Sequence, residues 1–380
     1  MLRCIFCSAP WAHHVLTIDL SAIQANWLYI SSVSQGTAAA VIKANAYGLG
    51  ASRVGPALYS AGCRDFFVAT LEEGLSARGF LPSDSLIYVL GGPRICETQE
   101  FIGAKLIPVL CSLSQIKDWA QQNQKQNCTF PSAVKLNTGM TRLGLDRYEF
   151  NFLCEDADLI KAINPVLLMS HLACADDPSH RLNSVQQQRF AQSAALIAKI
   201  IPSIRRSLAN SSGIFLGSKW HFDLVRPGAA IYGINPQPKQ VNPMMPVVRL
   251  SLPIIQVRTL DDDVTLGYGA DASLPKGKRV AVVAGGYADG LHRTLGKQPE
   301  GDLCGYRVRT IGRISMDVTL FDISDVYLPS DQLLGQSIEV ISENFTLEYL
   351  SNKSQLLGYE VLTSLGGRYK RQYLSEANHD

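Results

Sequence analysis

From Ala40 onward, short unbroken apolar runs alternate with longer stretches in which apolar residues recur every three or four positions. The runs are Ala40 to Ile42, Phe66 to Ala69, Ile87 to Leu90, Leu106 to Leu110, Ala133 to Leu136, Leu167 to His171, Ser207 to Asn210 and the segment around Ala229 to Gly233. A continuous apolar run is the pattern of a strand covered on both faces, as in parallel sheets. Val54 to Ala61, Leu71 to Gly79, Leu113 to Gln122 and Val185 to Ile201 carry helical spacing instead. The alternation repeats every roughly 25 to 30 residues, the size of one βα unit. About eight such units close into a parallel barrel whose chemistry gathers at the carboxyl ends of its strands.

After Tyr232 the pattern changes: Pro236, Pro238, Pro243 and Pro246 crowd a short stretch and the helical spacing stops, which marks a domain boundary. Val247 to Val257, Arg279 to Val283, Tyr306 to Ile311, Val318 to Ile323 and Ser337 to Ile341 then alternate between glycine and aspartate clusters. The expected fold is α/β: an N-terminal extension over residues 1–14, a (β/α)8 TIM-like barrel over 15–240, and a smaller, mainly antiparallel β domain over 241–380.

Composition narrows the function classes. A length of 380 residues favours two domains, and 46% hydrophobic with 18% charged residues describes an ordinary globular chain. The 35 basic and 33 acidic residues leave a net charge of +2, with no basic stripe interleaved with aromatics, so nucleic acid is not an expected partner. No window approaches the roughly 18 apolar residues that span a bilayer, and Met1 to His14 lacks the features of a signal peptide. A cytoplasmic protein without membrane contact is expected. Nine cysteines, an odd number without framework spacing, read as reduced thiols. Cys4, Cys7, His13 and His14 have the ligand types of a zinc site but no second ligand pair and no surrounding core, so no metal is expected.

Candidate chemistry begins at Val41-Ile42-Lys43-Ala44-Asn45-Ala46-Tyr47-Gly48-Leu49-Gly50, where a lysine ends an apolar run just before a small-residue turn. A desolvated ammonium loses its proton more readily, and the neutral amine forms Schiff bases with aldehydes. A snorkelling lysine at a strand end gives the same local pattern, and this segment alone leaves the two readings even. Arg142, His171, Ser211, Ser212 and Arg226 stand at the ends of other predicted strands, so a barrel gathers them on the rim that carries Lys43. Ser211, Ser212, Gly213 and the turn at Gly228 offer hydroxyls and amides of the kind that hold a phosphate.

The ordered set VIKANAYGLG, KLNTGMTRLG, SHLACAD, NSSG, VRPGAAIYG, GYGA, GGYADG and GRISMD, spread from about Leu16 to about Arg371, resembles the alanine racemase family of fold-type III pyridoxal-phosphate enzymes. The resemblance implies pyridoxal 5'-phosphate as cofactor, a small amino acid as substrate, and a head-to-tail homodimer with shared active sites. Lys43 would hold the cofactor aldehyde and then serve as base on one face of the α-carbon; Tyr268, from the neighbouring subunit, would serve the other. His171 coupled to Arg226 would help the phenol act as a base, and Arg226 would face the pyridine nitrogen and weaken the electron sink. Arg142 would contact the cofactor oxygen and the substrate carboxylate, supported by Lys135, which is carbamylated in some relatives. Tyr47, Ser211, Gly228 and Ala229 match the phosphate cradle, Met316 and Asp317 the approach to the substrate carboxylate, and Tyr287 and Arg313 the entrance.

This chain departs from the family pattern at Gly366 and Gly367, where some relatives have a phosphate-contacting tyrosine, at Ser315 in place of a common cysteine, and at Asn137 in place of an aspartate. The leading expectation is interconversion of L- and D-alanine that supplies D-alanine for peptidoglycan. A serine or broader-specificity racemase of the same fold is the nearest alternative. Pyridoxal-phosphate carriers share the barrel but lack the β domain, and fold-type III decarboxylases benefit from a protonated ring that Arg226 disfavours.

Overall fold

The computed structural model describes residues 14–94, 96–296 and 299–375, so Cys4, Cys7 and His13 lie outside the described residues. The chain divides into one unit of Leu20–Met245 and another of Met1–Asp19 together with Pro246–Asp380. Strand β1 (Val15–Asp19) therefore does not open the barrel, as its position in the sequence suggests. Its alternation buries Leu16 and Ile18, a one-sided pattern that suits an antiparallel neighbour, and it pairs Leu16 with Leu250.

The barrel unit contains β2 (Thr37–Ala38), β3 (Ala40–Val41), β4 (Asp65–Val68), β5 (Leu86–Val89), β6 (Ile107–Leu110), β7 (Ser132–Lys135), β8 (Pro165–Met169), β9 (Arg205–Ser207) and β10 (Leu224–Val225). Strands β3 to β9 pair in parallel in chain order, and β10 pairs with β2. The ring closes through backbone bonds. Ala39 N–H donates to the Val225 carbonyl (2.9 Å) and Val41 N–H to that of Pro227 (3.0 Å), which makes β2 and β3 one interrupted strand. Asp223 N–H to Arg206 (3.0 Å) and Arg226 N–H to Ala209 (2.9 Å) join β9 to β10. Eight parallel strands thus form a barrel, filled by side chains such as Phe67, Tyr88, Val109, Leu167 and Leu224. Helices Ala51–Ser60, Leu71–Phe80, Leu113–Lys125 and Arg181–Ile197 stand where helical spacing predicts them.

The last barrel strand is not the apolar run at 229–233. Ala229–Tyr232 forms a 3-10 turn, and the strand is the two-residue β10 just before it. Pro227 has no N–H for a ladder, and the Gly228 and Ala230 amides donate to Ser211 Oγ (3.0 and 3.2 Å) instead of to a neighbouring strand.

The other unit adds β11 (Val248–Thr259), β12 (Val264–Leu266), β13 (Ala272–Leu274), β14 (Arg279–Ala284), β15 (Glu300–Leu303), β16 (Tyr306–Thr310), β17 (Val318–Asp322), β18 (Ser337–Ile341) and β19 (Lys370–Leu374). Its main sheet runs β14-β17-β16-β15-β18-β11-β1-β19, and a further β14–β11 pairing closes the first six strands on themselves. Every pairing in that sheet is antiparallel except β1 with β19. Among the described residues no helix is long and apolar enough to cross a membrane, no His, Cys, Asp and Glu cluster could hold a metal ion, and Cys63, Cys96, Cys111, Cys128, Cys154, Cys174 and Cys304 are free thiols.

Candidate active site

Lys43 follows β3 at the start of an unusual turn. Ala44, Asn45, Ala46 and Tyr47 all have left-handed backbone, with φ of 51, 54, 54 and 55°. Such a conformation costs an L-residue roughly 1–2 kcal/mol, so four in succession require support. Some comes from local bonds: Ala46 N–H donates to Ile42 (2.8 Å), Gly48 N–H to Ala44 (2.8 Å), Gly50 N–H to Asn45 (2.9 Å), and Ala51 N–H to Asn45 Oδ1 (2.8 Å). Burial lowers the pKa of Lys43 and Arg142 lowers it further, while the carboxylate of Glu73 opposes them. The amine is biased toward its neutral, nucleophilic form.

Lys135 ends β7 and is buried; its pKa is lowered first by burial, then by Arg226, Arg142 and Lys43, with Cys111 opposing. Parallel register sets Lys135 beside Met169 of β8, and Met169 beside Ser207 of β9. His171, just past β8, is held neutral by burial, then by the charges of Arg226, Lys135, Arg142 and Lys43. The charges that act on Lys135 and His171 come from Lys43, Arg142 and Arg226, which puts the five groups near one another. A cavity opens there between Lys135, Asn137, Met140, Arg142 and His171. Asn137 Oδ1 accepts from the amides of Gly139 (3.2 Å) and Thr141 (2.9 Å), so the residue that departs from the family pattern shapes the loop carrying Arg142.

Arg226 lies at the end of β10, fully surrounded by protein. Its guanidinium donates to Ser207 Oγ, to the Ser170 carbonyl and, at 3.5 Å, to the Leu208 carbonyl. Burial pulls its pKa down to about 9, so it keeps its charge at neutral pH. Ser170 Oγ donates to Leu136 (2.7 Å), and Gln186 Nε2 donates to the His171 carbonyl (2.8 Å) while its Oε1 accepts from Ala173 (2.9 Å). Ser170, Ser207 and Gln186 support the site without having stood out in the sequence. Gln186 is a fully buried amide whose partners come from other elements, and the same helix buries Asn183 beside Phe190, Ala194 and Ile197, so no local pattern marks it out.

Tyr47, Ser211, Gly228 and Ala229 come together on the same side of the barrel unit. Ser211 Oγ takes up the Gly228 and Ala230 amides, so the hydroxyl organises this turn rather than standing beside open amides. The Tyr47 ring lies 4.7 Å from that of Tyr232, and a Cβ placed on Gly228 would stand 2.5 Å from Tyr47 Oη. An amine biased toward neutrality, a cradle of hydroxyls with space only a glycine allows, and the guanidiniums of Arg142 and Arg226 together suit a ligand that carries an aldehyde and several negative charges.

Tyr268, Tyr287, Arg313, Met316 and Asp317 belong to the other unit, where they also gather. Tyr268 sits at the tip between β12 and β13 and is 70% exposed. Arg313 pairs with Asp271 (2.7 Å) and lies against Gly269 of that tip. Gly286 permits the Tyr287 and Ala288 amides to reach the Ser315 and Met316 carbonyls (both 3.0 Å), where a Cβ would be 2.3 Å from Ser315 O. Arg368, next to Gly366 and Gly367, pairs with Asp317 (2.7 Å) and with both oxygens of Asp289 (2.6 and 2.9 Å). Met316 and Tyr287 are exposed.

Comparison with known proteins covers both units. The family model for the alanine racemase N-terminal domain matches residues 18–236, and that for the C-terminal domain matches residues 247–373. Alanine racemase of Rhodospirillum rubrum is 45% identical over 362 residues, 94% of this chain and 95% of its own length. That of Rhizobium meliloti is 41% identical over 375 residues, 95% of this chain and 97% of its own. Among solved structures, alanine racemase from Bartonella henselae with covalently bound pyridoxal phosphate superposes with a TM-score of 0.90 at 38% identity, covering 96% of this chain and 100% of that one.

Proposed function

Because this chain belongs to the alanine racemase family, we propose that it interconverts L- and D-alanine with pyridoxal 5'-phosphate held at Lys43, and that two bases, one from each subunit of a homodimer, exchange the α-proton. The observation that carries the reading is a lysine at a strand end whose amine is biased toward neutrality, on a rim with Lys135, Arg142 and Arg226. The cofactor supplies an electron-withdrawing ring that acidifies the α C–H bond of a bound amino acid. Tyr47, Ser211, Gly228 and Ala229 would hold its phosphate, and Arg226, which keeps its proton, would restrain that withdrawal if set against the ring nitrogen.

Arg142, steadied by Lys135, offers a fork of donors to the substrate carboxylate. Lys43 Nζ takes or returns the proton on one face, and the partner subunit's Tyr268 does so through its phenol oxygen on the other. Met316 and Asp317 of the partner approach the carboxylate, with Tyr287 and Arg313 lining the way in. The product D-alanine feeds peptidoglycan synthesis in the cytoplasm.

Purified protein supplied with pyridoxal phosphate is expected to show the absorbance of a lysine-bound cofactor and to racemise alanine in a panel of L- and D-amino acids that includes serine. Lys43→Ala should abolish that band and lower turnover by about 10²–10⁴-fold. A band that persists in this variant ends the assignment of Lys43. Tyr268→Phe should suppress solvent-deuterium exchange starting from one enantiomer far more than from the other; equal exchange from both removes the two-base scheme. Rescue of a D-alanine auxotroph tests the biosynthetic role.

A further inference from the structure

Glu73 has a place in this site that its sequence context does not suggest. Thr70-Leu71-Glu72-Glu73 has the form of a capping box, in which the glutamate reaches back to the amide of the capping residue. Thr70 does cap helix Leu71–Phe80, accepting from Glu73 N–H at 3.3 Å. The Glu73 carboxylate goes elsewhere. One oxygen accepts from the Ala69 amide at the end of β4 (2.7 Å), and the other accepts from the Ala44 amide (2.7 Å), the first residue of the left-handed turn after Lys43. Two short charge-assisted bonds from one carboxylate join two neighbouring strand ends across 29 residues of sequence.

We propose that Glu73 is the positioning residue for Lys43: its two oxygens lock the Ala44 and Ala69 amides together, and the Ala44 amide it holds directly follows Lys43 in the chain. The inference rests on the reading of Lys43 as a base. A base that accepts the α-proton becomes an ammonium, and the groups that interact with Lys43 from the strand ends around it are Arg142, Lys135 and His171. Arg142 disfavours that ammonium, Lys135 is itself biased toward neutrality by burial, and His171 is neutral. Glu73 is the carboxylate that favours it. Holding the turn and steadying the proton are separable tasks, because the first depends on hydrogen-bond acceptors and the second on charge.

The test uses the full-length protein without added cofactor. Lys43 is titrated by competitive acetylation across pH, read by peptide mass spectrometry with exposed lysines as internal standards. Glu73→Gln, which keeps the size and removes the charge, should move the Lys43 midpoint to lower pH, and Glu73→Asp should return it toward that of the native protein. Adding Ala44→Gly to the Gln variant relieves the left-handed turn, since glycine adopts that backbone freely. The double variant should recover thermal stability while the Lys43 midpoint stays low.

With cofactor present, the limb of the pH–rate profile assigned to Lys43 should shift the same way. A folded Gln variant with an unchanged midpoint overturns the proposal, as does a midpoint that recovers together with stability in the double variant. If the cofactor fails to bind at all, the reading of the site falls, and the acetylation result still stands by itself.

Discussion

A methyl group added at Gly228 would meet Tyr47 Oη at 2.5 Å and Val41 Cβ at 3.3 Å. Tyr47 has little room to yield, because its ring packs on Tyr232, itself buried and bonded through its hydroxyl to the Val41 carbonyl (2.9 Å). Overpacking of this kind costs about 1–3 kcal/mol. If it falls on the cradle, Gly228→Ala should weaken pyridoxal phosphate by about 5- to 150-fold in an equilibrium titration, with a much smaller change in the melting temperature of the cofactor-free protein. Unchanged affinity would remove Gly228 and Tyr47 from the phosphate site. At this scale the sequence shows what breaks a pattern: Lys43 and Arg226 are charges at the ends of apolar runs. It hides Ser207 and Ser170, whose hydroxyl and backbone carbonyl accept from Arg226, 19 and 56 positions away. Glu73 was hidden differently, by resembling half of an ordinary helix cap.

Elements were legible where pattern and pairing are both local. Most apolar runs of the barrel became parallel strands within a residue or two of their predicted bounds, since a strand buried on both faces needs no alternation. The errors have one physical source, which is that pairing is not written in a strand's own residues. Val15–Asp19 takes partners more than two hundred residues away, and Ala229–Tyr232 is apolar enough for a strand but gives its Ala230 amide to Ser211 and its Ile231 amide to Gly228. In the β unit, Glu300 of β15 shows what register can build: it stands opposite Arg309 of β16 and also accepts from Arg307 and from Tyr349 Oη (2.8 Å). Arg307 above all, then Tyr349 and Arg309, hold its carboxyl down at about 2 against an ordinary 4.5. A depressed carboxylate adds stability above its unfolded value, and that stability drains away as pH falls from 4.5 through about 2. Both arginines are more than half exposed, so after solvent screening the contribution is about 1–2 kcal/mol. Glu300→Gln should lose that amount at pH 7 and flatten the unfolding free energy between pH 4.5 and 2 in urea titrations; a slope equal to that of the native protein refutes the account.

For the whole molecule, the question is which chains share a site. The barrel unit holds Lys43 with Arg142, while Tyr268 stands 70% exposed at the tip of a β hairpin whose neighbour Arg313 is also open to solvent. A phenol that takes a proton from carbon works best where water is excluded, which calls for a covering surface. In a dimer with a two-fold axis, any contact made by one chain is repeated by the other, so a Tyr268 that reaches its partner's Lys43 creates two equivalent sites, each drawn from both chains. Separate Lys43→Ala and Tyr268→Phe proteins should each be nearly inactive. Mixed in equal amounts and allowed to exchange subunits, they give about one half hybrids. In each hybrid one site carries both lesions and the other carries none. Activity should therefore rise to about one quarter of the native value, half of the dimers with half of their sites restored, and fall again on dilution below the dissociation constant. If each chain supplied both of its own bases, every site in the mixture would carry a lesion, and mixing would restore nothing.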